Sequence, residues 1–200
     1  MAGPGRTARS GVAGVKVAIS GSAGIGKTTF ARALAERRGC RLIEEGYDGL
    51  FGADARFLSS RTRLRHEILA VLERKNARED AAPAFVADRC AVDLFNLWMS
   101  RGFGDDERMT GWLYQRCRHY MAKYDFVFVL PWSAIPLRQI AAPVNRRRSL
   151  NPWFQLYNHA NVIGLLHQWL PPRRLIAMPY RLSTLHDRVA FACDLIDGRG

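Results

Sequence analysis

Gly21-Ser22-Ala23-Gly24-Ile25-Gly26-Lys27-Thr28 decides the reading of this chain. The stretch matches G-x-x-x-x-G-K-[ST] and stands between an apolar run, Val15 to Ser20, and an amphipathic segment, Thr28 to Arg38. That is the place a strand, a phosphate-binding turn and a helix require. Glycines let the backbone fold back so that several N–H groups converge on a phosphate chain, and the helix aims its positive end at the same point. Lys27 is expected to reach the terminal phosphates. Thr28 is expected to offer its hydroxyl to Mg²⁺ bridging phosphate oxygens. The expected ATP-binding set is therefore Gly21, Ser22, Ala23, Gly24, Ile25, Gly26, Lys27, Thr28 and Thr29.

Outward from the loop, short apolar runs alternate with longer stretches of helical period, the signature of βαβ units and a parallel sheet covered on both faces. Five strands can be placed: Val15 to Ser20, Arg41 to Glu44, Ala84 to Asp88, Phe126 to Leu130 and Arg174 to Met178. Leu64, Ile68, Val71 and Leu72 recur at helical spacing, as do Met109, Trp112, Leu113, Cys117, Tyr120 and Met121, so each set predicts one apolar helix face. Ser183 reads as the N-cap of a last helix carrying Leu185, Val189, Ala192 and Leu195. The fold class is α/β. Residues 1–14, rich in Gly, Ala and Arg, read as a frayed tail, and 15–200 as one domain. Gly46 to Arg56 and Pro131 to Pro152 lack a period and read as loops, the second a candidate lid.

Composition bounds the function. With 200 residues, 48% of them hydrophobic and 24% charged, the chain can bury a core, which excludes a disordered or low-complexity protein. No apolar run approaches the roughly 20 residues that cross a bilayer, and no membrane partner is expected. Without a secretory stretch at the start, the cytoplasm is the expected compartment. Thirty Lys and Arg against 18 Asp and Glu leave a net charge of +12, and Lys16, Lys27, Lys75 and Lys123 are the only lysines. So basic a balance suits polyanions, nucleic acid or phosphorylated small molecules, although arginines on a solvated surface would give the same total. Cys40, Cys90, Cys117 and Cys193 lie far apart with no C-x-x-C and read as reduced thiols; the five histidines show no ligand spacing. No motif speaks to oligomeric state, and a homodimer is compatible with the sequence.

Transfer chemistry needs an acid near the metal, at the end of an apolar strand. Phe85-Val86-Ala87-Asp88 provides one, and Asp88 is the metal-side candidate; the alternative is an N-cap for the helix beginning at Ala91. Arg89 carries a fork suited to phosphate or carboxylate, or is a strand-end surface charge. An acceptor hydroxyl also wants an orienting or basic carboxylate. Glu44 and Glu45 end the second strand on the rim of the phosphate loop; Glu45 is favoured because Glu44 continues the strand, against an exposed acidic pair. Arg146, Arg147 and Arg148 offer charge to a transferred phosphoryl group, or form a solvated run. Tyr47 and Phe51 are candidate stacking residues of an acceptor pocket.

In the order GSAGIGKTT, LIEE, FVADR, YDFVFVLP and an Arg-rich loop, the chain resembles the nucleoside and nucleotide kinase group of P-loop proteins. It is most similar there to ATP-binding domains related to the ribosylnicotinamide kinase domain of bacterial NAD-regulator proteins. Thymidylate and deoxynucleoside kinases share the acid-Arg pair seen here as Asp88-Arg89, followed by Asp93. The likeness runs from about Val15 to Ile196. It implies a three-layer P-loop fold with strand order 2-3-1-4-5, ATP as donor, Mg²⁺, a lid around Arg146 to Arg148, and an acceptor pocket from the second and third strand ends. Three positions depart from the pattern: Cys90 replaces the aromatic found in thymidylate kinases, Glu44-Glu45-Gly46 replaces a proline-containing strand end, and Asn158, His159 and Asn161 stand where a second arginine is often found. The expected function is transfer of the ATP γ-phosphoryl group to a nucleoside- or nucleotide-like molecule. The alternatives are a nucleic-acid 5′-end kinase, suggested by the charge, and a regulatory ATPase in which Lys27 matters but Glu45 and the lid do not.

Overall fold

The computed structural model describes residues 14–46, 60–132 and 151–198. Its elements are β1 (Lys16–Ser20), α1 (Lys27–Arg38), β2 (Arg41–Ile43), α2 (Arg61–Asp80), β3 (Phe85–Asp88), α3 (Ala91–Ser100), α4 (Glu107–Met121), β4 (Phe126–Val129), α5 (Pro152–Trp169), β5 (Leu175–Ala177) and α6 (Leu185–Ile196). A 3₁₀ turn, Pro172–Arg174, precedes β5. Among the described residues the strands form one parallel sheet in the order β2-β3-β1-β4-β5. This is the order the resemblance implied.

The pleat divides the core in two. Val17, Ile19, Val86 and Phe128 face one layer, where Phe30, Ala31 and Leu34 of α1 and Ala192 of α6 cover them. Their intervening neighbours Ala18, Phe85, Ala87, Val127 and Val129 face the other, under α2, α3, α4 and α5. Strands buried on both sides have no polar face to offer, which is why they read as continuous apolar runs. Phe30 meets Phe128 edge to face, centroids 6.2 Å apart, pinning α1 to the sheet centre beneath the phosphate loop. Among the described residues no helix is long and apolar enough to cross a membrane.

Three local expectations are corrected. Thr184, not Ser183, caps α6, its hydroxyl accepting from the Asp187 N–H at 3.1 Å. Arg174 closes the 3₁₀ turn and β5 begins at Leu175. Trp112 is 49% exposed although Leu113, Cys117, Tyr120 and Met121 are buried. One residue is about 100° of helix, so position 112 falls off the stripe centred on Leu113 and Cys117, and the Arg116 guanidinium lies over the Trp112 ring at 6.0 Å instead. Of the cysteines, Cys90 and Cys117 are buried, Cys40 and Cys193 partly so, and all four are free thiols.

Candidate active site

Parallel strands end on one rim, and the site assembles there from β1, β2, β3 and the start of α1. Gly21 opens the loop at φ +126°, and a Cβ placed on it would lie 2.8 Å from Ile25 Cδ1 and 3.0 Å from the Leu130 carbonyl oxygen. Only glycine fits that turn. Gly26 is the N-cap of α1 in a left-handed conformation, no side chain caps the helix among the described residues, and no acid stands in its first turn. The first N–H groups of α1 thus remain for an anion, as does the buried Ser22 hydroxyl, which has no partner among the described residues.

Lys27 is almost fully buried and donates from Nζ to the Ser22 carbonyl oxygen inside the loop. Burial, with the Arg89 charge adding, pulls its ammonium down to about 7, while Asp93, Asp88 and Glu45 pull the other way. An ammonium held so reluctantly is poised for a polyanion that would restore its charge.

Thr28 of α1 lies near the carboxylate of Asp88 at the tip of β3, close enough for its hydroxyl to favour the ionised form. Asp88 is 2% exposed, and its Oδ1 has no partner among the described residues. Burial raises its pKa. A hydroxyl and a carboxylate oxygen left unpaired beside it are hard oxygen ligands of the kind Mg²⁺ takes, so these residues fit that ion. The alternative of Asp88 as N-cap is set aside: Cys90 caps α3, and its N–H donates at 3.0 Å to Oδ2 of Asp93.

Arg89 is the one non-glycine residue with positive φ among those described, at +67°. The turn brings its Nε to Glu45 Oε2 at 2.5 Å and its Nη1 to Asp93 Oδ1 at 3.0 Å. Such a conformation is costly and is kept where the surroundings determine it. Glu45 is partly buried, whereas Glu44 is exposed. Lys27, Thr28, Asp88, Arg89 and Glu45 therefore meet on one rim. Tyr47, Phe51, Arg146, Arg147 and Arg148, with most of the two loops that carry them, lie outside the described residues.

Three further residues belong to this site. Asp93 takes hydrogen bonds from Ser20 Oγ at 2.9 Å, from Arg89 and from the Cys90 amide; its spacing of four from Arg89 and its place in the first turn of α3 were its signal. His159 on α5 is half-buried, with Nδ1 unpartnered among the described residues, and burial and the Lys27 charge lower its pKa. Next to it Asn158 accepts from Asn96 of α3 at 2.8 Å, joining α5 to α3. Lys75 of α2 is buried, on the stripe that continues Ile68 and Leu72.

Residues 16–159 match the family described as AAA domain. No curated protein sequence matches the chain. Among solved structures, a NadR protein in complex with NR superposes with a TM-score of 0.67 and 16% identity over 94% of this chain and 52% of that one. NadR in complex with NAD and AMP-PNP gives 0.62 and 18%, over 94% and 49%. Deoxyadenosine kinase from M. mycoides with bound dATP gives 0.61 and 11%, over 92% and 100%. At these identities the likeness is one of fold, and the chain spans about half the length of the NadR chains.

Proposed function

We propose that this chain, which belongs to the AAA domain family over residues 16–159, is a kinase moving the γ-phosphoryl group of ATP to a hydroxyl or phosphate of a nucleoside-like small molecule. The observation that carries the reading is the Glu45–Arg89–Asp93 chain of contacts beside the phosphate loop. A nucleotide hydrolase needs the loop and the metal-side acid; an oriented carboxylate on the neighbouring strand tip is what a second substrate needs. The fold shared with a deoxyadenosine kinase and with NadR supports the same reading.

In this scheme the loop amides and the N-terminus of α1 hold the phosphates, and Lys27 neutralises the β and γ oxygens. Thr28 and Asp88 would hold Mg²⁺, which when bound would offset the charge of the phosphate groups. Glu45, oriented by Arg89, accepts the proton of the acceptor hydroxyl. The acceptor oxygen bonds to the γ-phosphorus as the bond from phosphorus to the β,γ-bridging oxygen breaks, and ADP departs with that electron pair. Arg89 also lends charge to the moving phosphoryl group. Arg146, Arg147 and Arg148 remain candidates for the same task from sequence alone. Free thiols and a small-molecule substrate fit a cytoplasmic setting.

The test is to incubate the protein with γ-labelled ATP, magnesium and pools of nucleosides, nucleotides and 5′-hydroxyl oligonucleotides. Label on a nucleoside or nucleotide supports the proposal. Label on the oligonucleotide would replace it with an end kinase, and label released only as free phosphate would replace it with a regulatory ATPase.

A further inference from the structure

Beyond their last registered pair, Ile43 with Ala87, β2 and β3 part, and the carbonyls at their tips have no ladder to enter. Lys75 of α2 fills that gap. Its side chain is 5% exposed, and Nζ lies 3.4 Å from the Ile43 carbonyl oxygen, 3.4 Å from that of Glu44 and 3.1 Å from that of Asp88. Three carbonyls meet the three N–H groups an ammonium owns. Glu79, one turn along, supplies the countercharge at 3.6 Å and is itself held by the Tyr124 hydroxyl at 2.8 Å.

Two of the three peptide units so held lead directly into the site. The Asp88–Arg89 peptide is fixed from two sides, its carbonyl by Lys75 and its N–H by the Ile19 carbonyl at 2.9 Å. The orientation of that plane, with the φ of +67° that follows it, delivers the Arg89 guanidinium to Glu45. On β2 the Glu44 carbonyl belongs to the peptide that leads into Glu45.

We propose that Lys75 is a positioning residue that locks the ends of β2 and β3 so that Glu45 and Arg89 stay in contact beside the acceptor site; the proposal rests on the kinase reading above. A buried charge is a poor way to gain stability, since a well-packed apolar side chain does as well or better. Burial pushes the Lys75 ammonium below the usual lysine range. What the charge supplies here is direction: it draws three carbonyl dipoles to one point.

The test uses the full chain with Lys75→Met and with Lys75→Met/Glu79→Gln, the second leaving no unpaired buried carboxylate. Amide exchange is followed over 41–46 and 85–90, with 126–129 of β4 as reference. ATP binding with magnesium is measured by calorimetry. Transfer is measured to whichever common nucleoside or nucleotide the wild type labels. The expected result is a folded double variant with unchanged β4 protection, ATP affinity within about twofold, faster exchange at both strand ends, and a kcat lower by about tenfold or more from the misplaced pair. Unchanged exchange at the two ends, or kcat within about twofold of wild type, overturns the proposal, because tips misplaced by an ångström should cost far more. Unfolding of both variants, or exchange rising equally in β4, also overturns it and assigns Lys75 to the scaffold. Should the wild type label neither a nucleoside nor a nucleotide, the kinase reading fails by itself, and the exchange pattern alone decides whether Lys75 holds the strand ends.

Discussion

Arg89 and Glu45, 44 residues apart in the chain, join the tips of β3 and β2 through a hydrogen bond of 2.5 Å from Nε to Oε2. The same guanidinium reaches Asp93 with Nη1, so its plane is fixed by two carboxylates. Arginine's rigid fork makes this an orienting contact more than a stabilising one, and it leaves Glu45 with a set direction beside the phosphate loop.

Glu45→Gln keeps the shape and an oxygen that can accept from Arg89, but it removes the base. ATP affinity should stay within about twofold while kcat falls by about 100-fold, the usual range for a lost proton acceptor. Calorimetry with ATP and magnesium, alongside labelled transfer, checks both halves. Turnover equal to wild type would remove Glu45 from its role.

Lys27 predicts a proton linkage. With its ammonium lowered from 10.5 to about 7, the nucleotide-free protein carries it largely neutral on the alkaline side. A triphosphate restores the charge, so ATP binding should take up a proton at pH about 8 and much less near pH about 5.5, and affinity should decline as pH rises through neutrality. Heats of binding in buffers of different ionisation enthalpy read the uptake. For folding the sign is opposite: between about 7 and 10.5 the unfolded chain holds the proton that the folded one lacks, so this group makes nucleotide-free stability rise with pH. Lys27→Met should abolish the uptake and ATP binding together. Proton uptake that persists in this variant would place the titrating group elsewhere.

The loop and the strands were legible because both depend on local pattern: glycines at fixed offsets, and apolar runs separated by helical ones; the order of the strands in the sheet came only from the resemblance. The site's cross-links were not. Arg89 bonds to Glu45 only because β2 and β3 are neighbours, which no spacing announces, and the left-handed Arg89 carries no residue-type signal, being neither Gly nor Asn. Lys75 sits three residues beyond Leu72 on an apolar stripe, but nothing in the sequence placed its ammonium at the tips of β2 and β3. Trp112 failed the other way, since hydrophobic type outweighed its angular position. The missing second arginine was visible as Asn158, His159 and Asn161, but not that His159 would lie near enough for Lys27 to shift its titration.

Two glycines with positive φ should respond differently to alanine. At Gly21 the new methyl meets Ile25 at 2.8 Å and the Leu130 carbonyl at 3.0 Å, and Leu130 is tied by its own N–H to Ser20, so the backbone has little room to give. At Gly39, φ +61°, nothing lies within 4 Å. Gly39→Ala should cost about 1 kcal/mol, the ordinary left-handed penalty. Gly21→Ala should cost about 3 kcal/mol and lose nucleotide binding. Equal melting shifts in the two variants would show that the loop accommodates a side chain.

Asp88→Asn separates stability from function. Because burial raises the Asp88 pKa, the folded state binds its proton more tightly than the unfolded chain does; stability falls as pH climbs from the unfolded value through the raised one, and the cost persists above it. An amide removes that cost and keeps an oxygen toward Thr28, so Tm without nucleotide should rise at neutral pH by about 2 °C or more. The unpaired Oδ1 that would meet Mg²⁺ loses its charge in the same step, so the gain in nucleotide affinity on adding magnesium should shrink by about tenfold and transfer should collapse. A stabilised but inactive variant is the pattern of a residue kept for chemistry at the expense of folding. A variant with lowered Tm and an undiminished magnesium effect would instead make Asp88 a structural partner of Thr28 and move the metal-side acid elsewhere on the rim.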